Sequence, residues 1–114
     1  MSLPGEIAAC VEAYADGLVP DSGVERAAVK AVLAELQRVA PGKAVELRIP
    51  PYAAVQVVEG PVHRRGTPKA LVELNARTLL QLAAGVATWA DLKARGQILA
   101  SGERSDLGHL FPCF

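Results

Sequence analysis

A short basic segment between two glycine–proline steps carries the most concentrated charge in the sequence. His63, Arg64 and Arg65 follow one another there. The residues that bound the segment are Gly60, Pro61, Gly66 and Pro68. Because glycine and proline limit the conformations of such a loop, its cationic side chains can hold an anionic head group or a carboxylate through charge-assisted hydrogen bonds. The alternative interpretation of the segment is a solvated turn.

Polar side chains at alternate positions of three predicted strands form a second candidate site. They are Glu46, Arg48, Gln56 and Glu73. If the strands pair as their alternation suggests, these side chains share the face of the sheet that is turned away from the core. Cross-strand ion pairs, worth about 0.2–1 kcal/mol each, are one interpretation. The other is a polar ligand or partner site that the His63 loop covers, with the Tyr52 hydroxyl at its edge.

Large apolar residues in the last third of the chain predict the lining of an apolar pocket between helices and sheet. These residues are Leu79, Leu80, Leu82, Trp89, Leu92, Leu110 and Phe111. Core packing without a ligand explains the same pattern. An exposed Phe111 or Phe114 would instead mark a dimer contact or a lid.

Signatures of catalysis are missing from the sequence. Ser101-Gly102 lacks the glycine of a nucleophile elbow, because Leu99 occupies that position. His63 and His109 have no metal-ligand spacing with carboxylates. Phosphate-binding glycine loops, and aromatic residues interleaved with basic ones, are also missing. We therefore expect no enzymatic activity, no metal, no cofactor and no nucleic-acid partner.

The elements that must position these residues begin with two helices. Ile7, Val11, Tyr14 and Leu18 are spaced for a short amphipathic helix that stops near Asp16-Gly17. Pro20-Asp21-Ser22 offers an N-cap for a second helix that ends at Pro41-Gly42. Its apolar stripe is Val24, Ala28, Val32, Leu36 and Val39.

Three strands follow in the stretch 44–74. Val45, Leu47 and Ile49 alternate with polar residues, and Pro50-Pro51 ends that strand in a bend. The alternation resumes over 53–57 and again over 70–74. Asn75 and Gly85 bound a helix over 76–84, and Thr88 and Gly96 bound another. The last elements are a short strand over 97–101 and a helical segment over 104–110.

This order predicts an α+β fold with a small mixed, mostly antiparallel sheet of four to five strands and helices packed on one face. We expect the first three strands to pair antiparallel through short links, and the last strand, reached over two helices, to return parallel to its neighbour. The length of 114 residues predicts one domain over 1–114, with N-terminal helices in 1–42 and the sheet and C-terminal helices in 43–114.

Composition indicates which partners and which cellular compartment we expect. Lys plus Arg and Asp plus Glu are 12 each, so no general field attracts nucleic acid or an acidic membrane surface. Cys10 and Cys113 have no zinc or redox spacing, which favours a reducing cytoplasm. We expect neither export nor integral membrane association, because the N-terminal and apolar patterns for them are missing.

Several unusual strings resemble one known family. They are the Pro-Pro-Tyr bend at 50–52, the Gly-Pro-x-His-x-Arg-Gly-Thr-Pro loop at 60–68, and the close Ala-Ser-Gly-x-Arg-x-Asp-Leu at 100–107. Together they resemble the bacterial branch of the sterol carrier protein superfamily over Val45 to Pro112, whereas the first 40 residues match only as helices. The resemblance implies a small sheet with helices over one side, an apolar cavity or groove between them, and non-catalytic binding of a lipid or another apolar or amphipathic molecule.

The fold also looks like the accessory C-terminal domain found beside mycothiol-dependent isomerases. This likeness implies the alternative function, a ligand-free accessory or interaction domain. Its partner would be another protein or a second copy of the chain.

The basic loop leads to the first prediction. If the basic loop holds an anionic head group and is not a solvated turn, Arg65→Ala should weaken binding of dodecanoate by roughly tenfold or more, because one charged hydrogen bond is lost. The melting temperature should hardly change. Calorimetric titration and thermal melting check both, with Lys30→Ala as a control that removes the same charge elsewhere. A large loss of stability with unaltered binding would show that Arg65 is structural.

Overall fold

The computed structural model describes residues 3–60 and 69–114 of the chain. Four helices, four strands and a short 3-10 helix follow one another in these ranges. In chain order they are α1 (Gly5–Ala15), α2 (Ser22–Val39), β1 (Val45–Ile49), β2 (Ala53–Val57), β3 (Ala70–Glu73), α3 (Ala76–Ala84), α4 (Trp89–Ala94), β4 (Leu99–Ser101) and the 3-10 helix Gly108–Leu110. The His63–Arg65 segment lies outside the described residues.

The helix boundaries follow from their capping residues. A carboxylate oxygen of Asp21 accepts hydrogen bonds from the backbone N–H groups of Gly23 and Val24 at 3.0 and 3.2 Å, which starts α2. The Asn75 side chain starts α3 in the same way, through the N–H of Thr78 at 2.8 Å. Gly85, with φ of 76°, ends α3 in the left-handed conformation. The predicted bounds of α3 are therefore confirmed.

The strands form one mixed sheet in the order β2-β1-β3-β4. β1 and β2 are antiparallel, with Val45 opposite Val57, and β3 and β4 are antiparallel, with Glu73 opposite Leu99. β1 and β3 are parallel, with Val45 opposite Ala70. The predicted α+β fold with a mixed, mostly antiparallel sheet is confirmed.

The expected position of the parallel pair was wrong. The chain leaves β2 and enters β3 at the same end of the sheet, because Val57 and Ala70 both lie beside Val45. β3 joins the free edge of β1 instead of extending the hairpin beyond β2, so it runs parallel to β1. Likewise the chain leaves β3 and enters β4 at one end, so the two intervening helices lead to an antiparallel neighbour.

The inner face of the sheet is sealed by the helices. Val45, Leu47 and Ile49 have no exposed surface, as their alternation predicted. They belong to one apolar cluster with side chains from α1, α2 and α3, including Ile7, Leu36 and Leu79 and others that are also fully buried. The cluster excludes water from one whole face of β1. Burial of this apolar surface is the main source of stability.

Two glycines allow close approaches at the sheet ends. At Gly102, where φ is 89°, a Cβ atom would come within 2.8 Å of the Cα of Ala70. At Gly42, where φ is 145°, it would come within 2.2 Å of the carbonyl oxygen of Val58. A side chain at either position would move the backbone of a neighbouring strand end. The turn after Gly102 leads only to a short 3-10 helix, so the predicted helical segment over 104–110 is shorter than expected.

Two leucines of the sheet provide a stability test with a built-in control. Leu47→Ala should lower the free energy of unfolding by about 2–5 kcal/mol, because Leu47 is fully buried. Leu99→Ala should change it by less than about 0.5 kcal/mol, because Leu99 is 64% exposed. Urea denaturation followed by circular dichroism measures both. Equal losses in the two variants would contradict the described orientation of the sheet.

Candidate functional site

An open groove lies where the junction between α3 and α4 meets the C-terminal segment. Residues of 85–90 form one wall and residues of 106–112 form the other. The groove encloses about 500 Å³. We call it the C-terminal groove.

Hydrogen bonds to the backbone fix both walls. The carbonyl oxygen of Ala83 accepts from the N–H groups of Cys113 and Phe114 at 3.2 and 3.3 Å, so the C-terminal segment is tied to the last turn of α3. The Thr88 hydroxyl oxygen accepts from the N–H of Asp91 at 3.2 Å and starts α4. The groove therefore lies where Gly85 ends α3 and Thr88 starts α4.

Two aromatic residues dominate the apolar lining. The rings of Trp89 and Phe111 are nearly parallel, with an interplanar angle of 14° and centroids 6.3 Å apart. Gly108 packs on the indole, because a Cβ atom there would lie 3.1 Å from Cγ of Trp89. Phe111 is partly buried, whereas Trp89 is only 8% exposed.

The indole of Trp89 leaves one polar group unpaired. Its buried Nε1–H has no hydrogen-bond partner among residues 3–60 and 69–114. A buried donor without a partner costs about 1–3 kcal/mol, and such groups are uncommon in native proteins. The unpaired Nε1–H of Trp89 therefore lowers the free energy of unfolding, and core packing alone does not explain this cost.

Polar groups lie at the rim of the groove. Asp106 and His109 on one wall and Thr88 on the other are all exposed. One carboxylate oxygen of Asp106 accepts a hydrogen bond from the Gly108 N–H at 2.9 Å. Apolar walls with a polar rim suit a molecule that is itself amphipathic.

The residues predicted to line an apolar pocket lie in two places. Trp89 and Phe111 line the C-terminal groove. Leu110 packs partly buried against the core. The remaining four are at most 6% exposed and belong to the core cluster: Leu79, Leu80, Leu82 and Leu92.

Sequence reasoning did not single out Asp106, Gly108 or Pro112 as groove residues. They lie in a segment without helical or strand periodicity. The close at 100–107, which carried part of the family resemblance, was the only signal near them.

The predicted polar residues of the strands lie on the sheet face opposite the helices. Glu46 lies opposite Gln56, and Arg48 lies beside Glu73. Arg48 pairs with Glu46 of its own strand, and the Lys69 ammonium lies 4.0 Å from the same carboxylate. These are partly exposed ion pairs, and such pairs contribute little to stability.

The structure places Tyr52 apart from these residues. Its hydroxyl donates to a carboxylate oxygen of Glu25 on α2 at 2.7 Å, and the Tyr14 hydroxyl donates to the other oxygen. The guanidinium groups of Arg26 and Arg77 lie 5.8 and 5.7 Å from the ring centroids of Tyr52 and Tyr14. Glu25 therefore connects α1, α2 and the bend before β2.

These surroundings keep the two phenols neutral. Burial and the hydrogen bond to Glu25 raise the pKa of Tyr14, and the hydrogen bond to Glu25 raises the pKa of Tyr52. Burial also raises the pKa of the Cys113 thiol to about 11 and raises the pKa of the Cys10 thiol. Protonated thiols are poor nucleophiles and poor metal ligands.

The basic loop residues His63, Arg64 and Arg65 lie outside the described residues, so their predicted role stays a prediction. Within the described part of the chain, no three His, Cys, Asp or Glu side chains are grouped so that they could hold a metal ion. In the same ranges, no helix combines the length and the hydropathy needed to cross a membrane.

The raised pKa values predict a loss of stability at alkaline pH. The unfolded chain releases protons from its thiols near pH 9 and from its tyrosines near pH 10, while the folded protein retains them. The free energy of unfolding should therefore fall as the pH rises above about 9. In Tyr14→Phe the fall above about pH 10 should be shallower, because one proton-retaining group is gone. Urea titrations at several pH values measure the slope, and identical slopes in both proteins would contradict this role for Tyr14.

Most of the chain is similar to a known protein family. A family model described as "Bacterial SCP ortholog" matches residues 21–113. The match begins at the N-cap of α2, so it extends further than the resemblance over Val45 to Pro112 and includes both walls of the C-terminal groove. A search of curated proteins finds no match.

Proposed function

This chain belongs to the family of bacterial sterol carrier protein orthologues, and we propose that it binds an apolar or amphipathic small molecule without transforming it. The family suggests a lipid-binding or carrier role. We place the ligand in the C-terminal groove, with its apolar part against Trp89 and Phe111 and its polar end at the rim.

One observation carries this choice of site. The groove is open at the surface, whereas Leu47, Leu79 and Leu82 between sheet and helices are fully buried. An empty internal void of about 300 Å³ would cost roughly 7 kcal/mol, which is comparable with the whole stability of a small domain. A site at the groove needs no such void.

A second candidate function is supported by the outer face of the sheet. In the described part of the chain, Arg48 and Leu99 on this face are exposed, and Glu73 is partly exposed. A mixed charged and apolar face of this kind suits contact with another protein. The chain would then act as an accessory or interaction domain through this face and the predicted His63–Thr67 loop, with the groove empty.

Both candidates fit the same cellular setting, which is part of the proposal. We place the protein in the cytoplasm, without cofactor, metal or nucleic-acid partner.

Ligand binding can be followed through the one tryptophan of the chain, which lies in the groove wall. Dodecyl maltoside, added below its micelle concentration, should change the emission of Trp89 in a saturable way. Phe111→Ala should weaken this binding by roughly tenfold, because the loss of an aromatic contact surface costs on the order of 1.5 kcal/mol. Titrations are run at a temperature at which each variant is folded.

Phe114→Ala is the matched control, because Phe114 is a neighbouring phenylalanine that is 36% exposed and outside the groove lining. Its affinity should stay within about twofold of the parent. Native mass spectrometry of the purified protein should also show a reproducible co-purifying lipid. No emission change together with no bound lipid would overturn the proposal and favour the accessory domain.

A further inference from the structure

We infer that the C-terminal groove prefers an amphipathic ligand whose head group is an organic ammonium cation. This inference rests on the proposed function and adds the chemical class of the head group. It follows from the charges at the rim and from the aromatic residues of the walls.

The rim carries negative charge. Among the described residues that line the groove, Asp106 is the one carboxylate, and His109 is the other ionisable side chain. Only one oxygen of the Asp106 carboxylate is used by the Gly108 N–H. Because the carboxylate is exposed and its second oxygen accepts no hydrogen bond within the described ranges, it can pair with a cation that enters the groove.

Among residues 3–60 and 69–114, no arginine lines the groove beside Asp106. Arg104 lies only two residues before Asp106, but its side chain packs against Gly60, where an added Cβ atom would come within 2.9 Å of the guanidinium Nε. It is not among the residues of the groove walls. An anionic head group at the rim would therefore meet the Asp106 carboxylate directly, and like charges that close repel.

The aromatic walls favour the same ligand class. Tryptophan and phenylalanine rings attract cations through the negative potential of their faces, and quaternary ammonium groups are the ligands that best use this attraction. Phe111 is the more exposed of the two residues and lies on the same wall as Asp106. A carboxylate and an aromatic ring in one groove together match an organic cation with an apolar tail.

Three probes with the same ten-carbon tail separate the head group from the tail. They are decyltrimethylammonium, decyl maltoside and decanoate, titrated below their micelle concentrations while the emission of Trp89 is followed. We expect the ammonium probe to bind about fivefold more tightly than the neutral probe at low salt, and decanoate to bind more weakly than both. The advantage of the ammonium probe should shrink at high salt.

Asp106→Asn tests whether this carboxylate causes the preference. Asparagine keeps an oxygen that can accept from the Gly108 N–H, so the turn is preserved while the charge is removed. The variant should lose most of the preference for the ammonium probe and keep only the part that the aromatic rings supply. Glu103→Gln removes the same charge from an exposed residue outside the groove and should leave the preference intact.

The outcomes distinguish this inference from the function on which it rests. If none of the three probes changes the emission, groove binding itself is wrong. If the neutral probe binds but the ammonium probe binds no more tightly, or if Asp106→Asn keeps the full preference, only the head-group inference is overturned. Tighter binding of decanoate that Arg65→Ala abolishes would likewise overturn it and assign the head group to the basic segment His63–Arg65.

Discussion

Burial of one face of β1 is the constraint on which the rest of the structure depends. Val45, Leu47 and Ile49 have no contact with water, although β1 is a central strand whose other face carries Glu46 and Arg48. Apolar area of this kind is the main favourable term in folding, so α1, α2 and α3 must cover it. The polar residues of the same strand are then left on the opposite face.

This covering also determines where a ligand can bind. The helices and the sheet meet through close-packed side chains, and opening a cavity among them would remove contacts that the small core needs. Space for a ligand remains where the helices no longer cover the sheet, beyond the last turn of α3. There Ala83 anchors the C-terminal segment, and the groove between that segment and the start of α4 forms without any loss of core packing.

Local features of the fold could be predicted from the sequence. The bounds of α3 follow from Asn75 and Gly85, and the buried face of β1 follows from strict alternation. The position of the parallel strand pair could not be predicted, because strand order depends on contacts between distant segments and not on the length of the connections.

Site geometry was harder to predict for a similar reason. Tyr52 donates to Glu25, which lies 27 residues earlier, and no local pattern indicates that partner. Asp106 and Trp89 line one groove only because the non-periodic C-terminal segment folds back over the end of α3. The sequence did identify Trp89 and Phe111 as apolar candidates, but it could not separate them from the core leucines, because both groups are large, apolar and close in the chain.

Amide chemical shifts measured by NMR during titration with decyl maltoside test the central claim most directly, since they report on groove and core in one experiment. If the ligand lies outside a sealed core, the largest shifts should come from residues 85–90 and 106–112, while Leu47, Ile49 and Leu79 hardly change. Shifts concentrated in β1 and along α3 would show that the ligand enters between helices and sheet, and would contradict this account.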